Sequence, residues 1–285
     1  MKLIRFGEPG KEKPGVHMDG VNYNVSGFIR DYDESFFANG GLTHLAWMLE
    51  QYKTTLPRVP DNERIGSPVA RPSKIVCIGL NYAKHAKETN AAIPAEPIIF
   101  FKSTTSLAGP YDNITIPRDS VKTDWEVELA FVIGKKASYV EEQEAMDYVA
   151  GYALHNDVSE REFQLERGGT WDKGKGCDTF APMGPWLVTT DEIKDPHNLR
   201  LWLKLNGKMM QDGNTDDLIF NIPFLVAYIS KFMTLLPGDI ISTGTPAGVG
   251  LGFNPPVYVK PGDEIELGID GLGTSKQTCV AYAKN

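Results

Sequence analysis

The stretch Thr123-Asp-Trp-Glu126-Val-Glu128-Leu-Ala-Phe-Val-Ile-Gly134 decides how this chain must fold. Its second half is an unbroken apolar run closed by glycine, the pattern of a strand covered on both faces. Side chains two apart on a strand share a face. Trp125, Val127 and Leu129 therefore line one side, and Glu126 and Glu128 the other. Two glutamates so placed could belong to the solvated face of an edge strand, but the apolar run beyond them makes the strand an interior one. Adjacent carboxylates raise each other's pKa unless a cation lies between them. The pattern predicts a cation.

The next strand-like run, residues 149–155, ends in His155-Asn-Asp157. A third carboxylate delivered at a strand end completes an oxygen set suited to a hard divalent ion such as Mg²⁺, with positions left for water. Further out, strand-like runs outnumber helical ones: 1–6, a hairpin over 16–25, then 74–79, 199–205, 239–243, 257–259 and 264–269. Helical patterns cover 42–52, the span from the capping box Ser138-x-x-Glu141 to about residue 148, and a segment capped by Asn221 with Pro223 in its first turn. This last helix carries Phe224, Leu225, Tyr228, Ile229 and Phe232 on one face and stops before Pro237-Gly238. Residues 54–73, punctuated by Pro57, Pro60, Pro68 and Pro72, read as a linker. The expected architecture is α+β and mostly β, with a small β-rich N-terminal module over 1–73 and a main domain over 74–285. Strands and helices do not alternate regularly, as they would in a doubly wound sheet.

Bulk properties narrow the partners. Among 285 residues, 37 acidic side chains against 29 basic ones give a net charge of −8. Without a basic cluster, nucleic acid and anionic membrane are poor partners. Cys77, Cys177 and Cys279 are scattered and odd in number, so neither a zinc site nor a disulfide framework is implied. The opening residues form a strand rather than an apolar signal core, and a cytoplasmic location is expected.

Four further segments carry chemistry. In Asn81-Tyr-Ala-Lys-His85-Ala-Lys-Glu88, Asn81 is a candidate N-cap, and His85 and Glu88 stand three apart on one helical face. A carboxylate beside an imidazole fixes its tautomer and strengthens it as a base. Polar, Pro-punctuated sequence follows, as in a mobile lid. In Ser159-Glu-Arg161-Glu-Phe-Gln164, Arg161 and Gln164 share a face and can donate to an oxygen of a substrate. Lys175 lies between Gly174 and Gly176, which would let it reach into a site. The run Thr243-Gly244-Thr245-Pro-Ala-Gly248-Val-Gly250-Leu-Gly252 lacks dinucleotide spacing and is followed by Pro255-Pro256, which opens no helix. Its backbone N–H groups and the Thr245 hydroxyl are expected to line a small anionic pocket. Cys177 lacks a sequence-evident histidine partner and is not assigned as a nucleophile.

Together, Gly79-Leu-Asn-Tyr-Ala-Lys-His85, Asp124-Trp-Glu-Val-Glu-Leu-Ala130, Gly151-Tyr-Ala-Leu-His-Asn-Asp-Val-Ser-Glu-Arg161, Gly174-Lys-Gly-Cys-Asp-Thr-Phe-Ala-Pro-Met-Gly-Pro185 and Thr243-Gly-Thr-Pro-Ala-Gly-Val-Gly250 resemble the fumarylacetoacetate hydrolase family. The N-terminal opening further resembles the bacterial branch labelled 2,4-diketo-3-deoxy-L-fuconate hydrolase or ureidoglycolate lyase. The resemblance implies a roll-like β catalytic fold, a Mg²⁺ ion (Mn²⁺ or Ca²⁺ being alternatives), a small oxo acid substrate and a homodimer. Carried over residue by residue, it makes Glu126, Glu128 and Asp157 metal ligands, and His85 and Glu88 a water-activating dyad. Lys175 and Gln164 become oxyanion donors, and Arg161, Gly244 and Thr245 pocket groups, with Lys175 and Thr179 near the ion's outer shell. The implied reaction is hydrolysis of a carbon–carbon bond in a 2,4-dioxo acid to release pyruvate. Oxaloacetate decarboxylation, isomerisation and ureidoglycolate cleavage are alternatives of the same resemblance. A non-catalytic, metal-stabilised binding protein is the alternative of another class, but a structural ion needs neither the His85–Glu88 pair nor Lys175.

Overall fold

A computed structural model describes residues 1–88 and 90–284. Among these, strands dominate, and the expected mostly-β α+β architecture is what forms. Nine strands of a ten-stranded mixed sheet run in the order Val21–Asn24, Lys13–Met18, Lys2–Phe6, Leu187–Thr189, Val149–Asn156, Val127–Ile133, Ile240–Ser242, Ile75–Gly79 and Ile98–Lys102, and Ile65–Gly66 pairs with Lys2–Phe6 beside them. A five-stranded sheet orders Lys208–Asn214, Arg200–Leu205, Glu264–Ile269, Gly273–Ala281 and Ile114–Ile116.

The Val127–Ile133 strand sits near the middle of the large sheet, flanked by Val149–Asn156 and Ile240–Ser242. Its alternation separates two cores. Trp125, Val127, Leu129, Phe131 and Ile133 pack with Leu201, Leu203, Ile265 and Leu267 of the smaller sheet and with Leu225 of the Ile222–Ile229 helix. Ala130 and Val132, which share the parity of the two glutamates, pack in a second core with Leu45, Met48 and Leu49 of the Gly41–Tyr52 helix. The glutamates thus stand at the open end of the face that becomes the second core. Full burial of side chains such as Leu or Phe is worth about 1.5–3 kcal/mol each, so the pattern pins the register.

The sheet runs across the expected 73/74 boundary: Lys2 and Leu3 pair with Val188 and Leu187, and the second core draws residues from both sides. Asn221 caps the Ile222–Ile229 helix by accepting from the Phe224 amide at 3.0 Å, with Pro223 in the first turn as expected. The helix ends at Ile229, a turn earlier than its apolar pattern suggested. The span after Ser138 is a 3-10 helix, Glu142–Tyr148, with Glu141 at its cap position and no side-chain cap bond. Residues 257–259 form no strand; Val259 instead donates its amide to the Thr123 carbonyl. No helix among the described residues is long and apolar enough to cross a membrane.

Candidate metal centre and active site

Strand pairing assembles the acid cluster. Glu128 lies opposite His155 in antiparallel register, and the Asp157 amide donates to the Glu126 carbonyl at 2.9 Å. The pairing that forms the sheet therefore also brings Asp157 beside Glu126. Glu126, Glu128 and Asp157 are all buried, and each offers an oxygen within 4.8 Å of the others. The convergence expected from two separate stretches is present.

Charge in the cluster is almost balanced. Lys175 Nζ lies 2.7 Å from Glu126 Oε2 and 2.9 Å from Asp157 Oδ2. Lys102 Nζ reaches Asp157 Oδ1 at 2.5 Å, and Arg161 Nη2 lies 2.8 Å from Glu126 Oε1 and 2.7 Å from Asp124 Oδ2. Burial pushes the Asp157 carboxyl up, but Lys102 and Lys175 outweigh it and hold the group well below the carboxylate range. Burial likewise raises Glu126, and Lys175 and Arg161 more than reverse it. Glu128 differs. Burial, then Asp157 and Glu126, push it well above the usual range, while Lys175 and Ser242 pull it down. Among the described residues no ion pair reaches it. Its bonds are from the Ser242 hydroxyl at 2.5 Å and the Gly244 amide at 3.0 Å, both to Oε2.

Four carboxyl groups (Asp124, Glu126, Glu128, Asp157) thus meet three cations (Lys102, Arg161, Lys175), so an ionised Glu128 has no cation of its own to balance it. Burying an uncompensated carboxylate is costly, and a divalent ion held by hard oxygens relieves that cost. The donor set fits Mg²⁺ or Mn²⁺.

The dyad is also assembled. His85 Nδ1 lies 3.2 Å from Glu88 Oε2 on the Ala83–Glu88 helix. Glu88 is itself held by the Gly248 amide, at 2.9 Å and 3.1 Å to its two oxygens. Asn81 does not cap this helix. Its carboxamide clamps Phe220 and Thr243, and Asp217 accepts the Lys84 amide at 2.9 Å instead. The glycine-rich loop also departs from expectation. Its amides bind the protein's own acids rather than a ligand: Gly244 holds Glu128, Gly248 holds Glu88, and Gly250 and Leu251 hold Asp124. Thr245 lines the cavity, but its hydroxyl donates to the Val127 carbonyl and accepts from Gln211 Nε2.

Arg161 Nη1 donates to Gln164 Oε1 at 3.0 Å, so the two share a face as the spacing predicted. That bond leaves the Gln164 carboxamide N–H₂ as the group available to a substrate oxygen. Gly174 serves a different purpose from the one its position suggested. A Cβ there would fall 2.4 Å from the Glu160 carbonyl and 2.6 Å from the Gln164 amide nitrogen. Close approach of backbone to backbone, rather than to a ligand, brings Lys175 under the cluster. Thr179 is not among the residues that line the cavity; its hydroxyl accepts the Thr115 amide at 2.8 Å. Cys177 is pushed up to about 11, chiefly by burial, and is no thiolate at neutral pH.

One cavity of ≈ 230 Å³ collects His85, Glu126, Glu128, Arg161, Gln164 and Lys175. Sequence reading missed the residues that hold this set in place. Lys102 ends an apolar strand, and Asp124 directly precedes the fold-deciding tryptophan; a charge at the edge of an apolar run was the available signal. Gln211 accepts the Val127 amide at 3.0 Å, and nothing local marks it. His155 Nδ1 lies 2.7 Å from Ser242 Oγ. Because Ser242 donates to Glu128, it accepts from His155 Nδ1–H, which fixes the imidazole tautomer. Burial lowers the His155 pKa to about 3, so the ring is neutral.

The family model described as fumarylacetoacetate (FAA) hydrolase C-terminal matches residues 74–280. A Burkholderia multivorans protein known no more closely than as a candidate hydrolase is 52% identical over 279 residues, 97% of this chain and 98% of its own. Fumarylacetoacetate hydrolase from psychrophilic Exiguobacterium antarcticum superposes with a TM-score of 0.84 at 33% identity, covering 99% and 100% of the two chains. Maleylpyruvate hydrolase from Sphingobium sp. SYK-6, solved with manganese(II) and pyruvate, gives 0.83 at 30% identity with the same coverage. By its match over most of its length, this chain belongs to the fumarylacetoacetate hydrolase family of enzymes.

Proposed function

We propose that the protein is a divalent-metal-dependent hydrolase that cleaves a carbon–carbon bond in a 2,4-dioxo acid and releases pyruvate. The observation that carries this reading is one cavity lined by His85, which is bonded to Glu88, and by Glu126 and Glu128 of the buried three-carboxylate cluster. Manganese and pyruvate together in the maleylpyruvate hydrolase relative support it. Glu126, Glu128 and Asp157 would hold Mg²⁺ or Mn²⁺, which when bound supplies Lewis acidity toward the oxo acid's oxygens.

The chain's own groups account for the rest. His85, oriented by Glu88, accepts a proton from water as the water oxygen adds to the C4 carbonyl carbon. The C3–C4 bond then breaks, its electron pair passes to C3 of the pyruvate half, and C3 takes up a proton. The Gln164 carboxamide, which lines the cavity, would donate to the oxygen that becomes anionic at C4. Losing one such donor typically costs about 3–4 kcal/mol in the barrier. Lys175 bridges Glu126 and Asp157 and so holds the acid cluster together as well as facing the cavity.

The test is a panel of acylpyruvates, 2,4-dioxo sugar acids and oxaloacetate with Mg²⁺ or Mn²⁺ and with chelator. Metal-dependent release of pyruvate from a 2,4-dioxo acid is expected; turnover that persists in chelator would refute the scheme. The related 2-hydroxyhepta-2,4-diene-1,7-dioate isomerase from Mycobacterium marinum, with a TM-score of 0.76 at 32% identity, favours isomerisation as a second reading. The same panel, followed by absorbance of the enol and keto forms, separates the two.

A further inference from the structure

We propose that this cavity selects 2-oxo acids whose far end carries no charge, an inference that rests on the site's being an oxo acid site. Besides its polar groups, the cavity is lined by Leu80, Phe100, Leu165, Trp171, Val249 and Leu251, with the Phe100 ring 5.0 Å from Lys175 Nζ. Phe100 and Trp171 meet edge to face, with centroids 5.3 Å apart, and make a stiff aromatic corner. Leu80 takes φ of 51° where the Ile75–Gly79 strand hands over to the helix of His85. A non-glycine residue in that region is strained and persists where its surroundings fix it. Here that conformation accompanies a leucine at the cavity wall.

Among the described residues, the permanently charged cations lining the cavity are Arg161 and Lys175. Arg161 is bound by Asp124 and Glu126, and Lys175 by Glu126 and Asp157. Lys84 and Lys87 of the same helix as His85 are exposed and do not line it. A carboxylate on the substrate's far end would have to draw one of these cations from a buried acid, rely on the neutral Gln164 carboxamide, or lie unpaired against hydrocarbon. None of these gives it a free counter-charge. A methyl or other uncharged end meets a wall of its own kind.

The experiment compares two acids with the same five-carbon chain, 2-oxopentanoate (methyl end) and 2-oxoglutarate (carboxylate end), by calorimetric titration of the Mn²⁺-loaded protein. The neutral acid should bind tighter by roughly 30-fold or more. Leu165, about half exposed at the rim, gives a second arm. Leu165→Arg supplies an uncommitted cation and should narrow that ratio by about 10-fold. Equal or tighter binding of 2-oxoglutarate to the unaltered protein would overturn the tail preference while leaving the oxo acid reading intact. Binding of neither acid by protein that still takes up Mn²⁺ would overturn both. Because neither arm relies on turnover, failure of the hydrolase reading in the substrate panel is seen separately.

Discussion

At the scale of single residues, the proposed function assigns charge balance and proton transfer to different groups. His85 is bonded to Glu88, while Glu126, Glu128 and Asp157 form the candidate ion site without it. His85→Ala should therefore lower kcat by at least about 100-fold while calorimetry finds Mn²⁺ affinity nearly unchanged. A large loss of metal affinity would contradict the roles assigned. Ser242 predicts the opposite split. It hands a hydrogen bond to Glu128 and takes one from neutral His155. Ser242→Ala leaves Glu128 with the Gly244 amide alone and removes the acceptor from buried His155 Nδ1–H. A lost hydrogen bond to a charged group is worth about 1.5–3 kcal/mol, so Mn²⁺ affinity should fall by roughly 10-fold or more. Unchanged affinity in that variant would show that the His155–Ser242 chain does not position Glu128.

At the scale of elements, the glycine-rich loop is the piece whose purpose sequence could not show. Its composition announced close backbone packing, yet composition does not say what approaches. The answer depends on Asp124, Glu128 and Glu88, which come from three distant segments. By contrast, the acidic triad was legible because strand alternation and one antiparallel register are enough to bring Glu126, Glu128 and Asp157 together. Arg161 and Gln164 were legible for the same reason, as a local i,i+3 pair. Lys102, Gln211 and Ser242 were not, because each acts through a contact set only by tertiary pairing. Gly248 tests the loop directly. It has φ of 105°, and a Cβ there would fall 2.0 Å from the Met210 carbonyl oxygen. Gly248→Ala must shift the loop and with it the amide that holds Glu88. Destabilisation of about 1–3 kcal/mol is expected from the backbone conformation. A fall in kcat larger than any change in Mn²⁺ affinity should accompany it, since the dyad and not the triad loses its anchor. A variant with native melting temperature and native kcat would refute this account of the loop.

At the scale of the whole molecule, the large sheet would make ion binding at the acidic cluster and folding one thermodynamic system. Glu126, Glu128 and Asp157 lie at the ends of central strands whose neighbours reach from the N-terminal hairpin to Ile98–Lys102. A cation that binds only the folded chain stabilises it by mass action, about 2.7 kcal/mol at 100 times its Kd. The pH dependence follows from Glu128, whose pKa in the folded, metal-free protein is raised by burial and by Asp157 and Glu126. A raised group contributes stability below its ordinary carboxylate pKa and loses it as pH climbs through the folded value. Metal requires the ionised carboxylate, so binding displaces that proton and grows tighter as pH rises. The gain in melting temperature on adding Mn²⁺ should accordingly be larger at about pH 8 than at about pH 6, and calorimetry in buffers of different ionisation enthalpy should detect proton release. Glu128→Gln removes the titrating group and should flatten the pH dependence of whatever metal stabilisation survives. Equal gains at both pH values in the unaltered protein would mean that Glu128 is already ionised without metal, and the charge imbalance assigned to this cluster would then have to be met by another group.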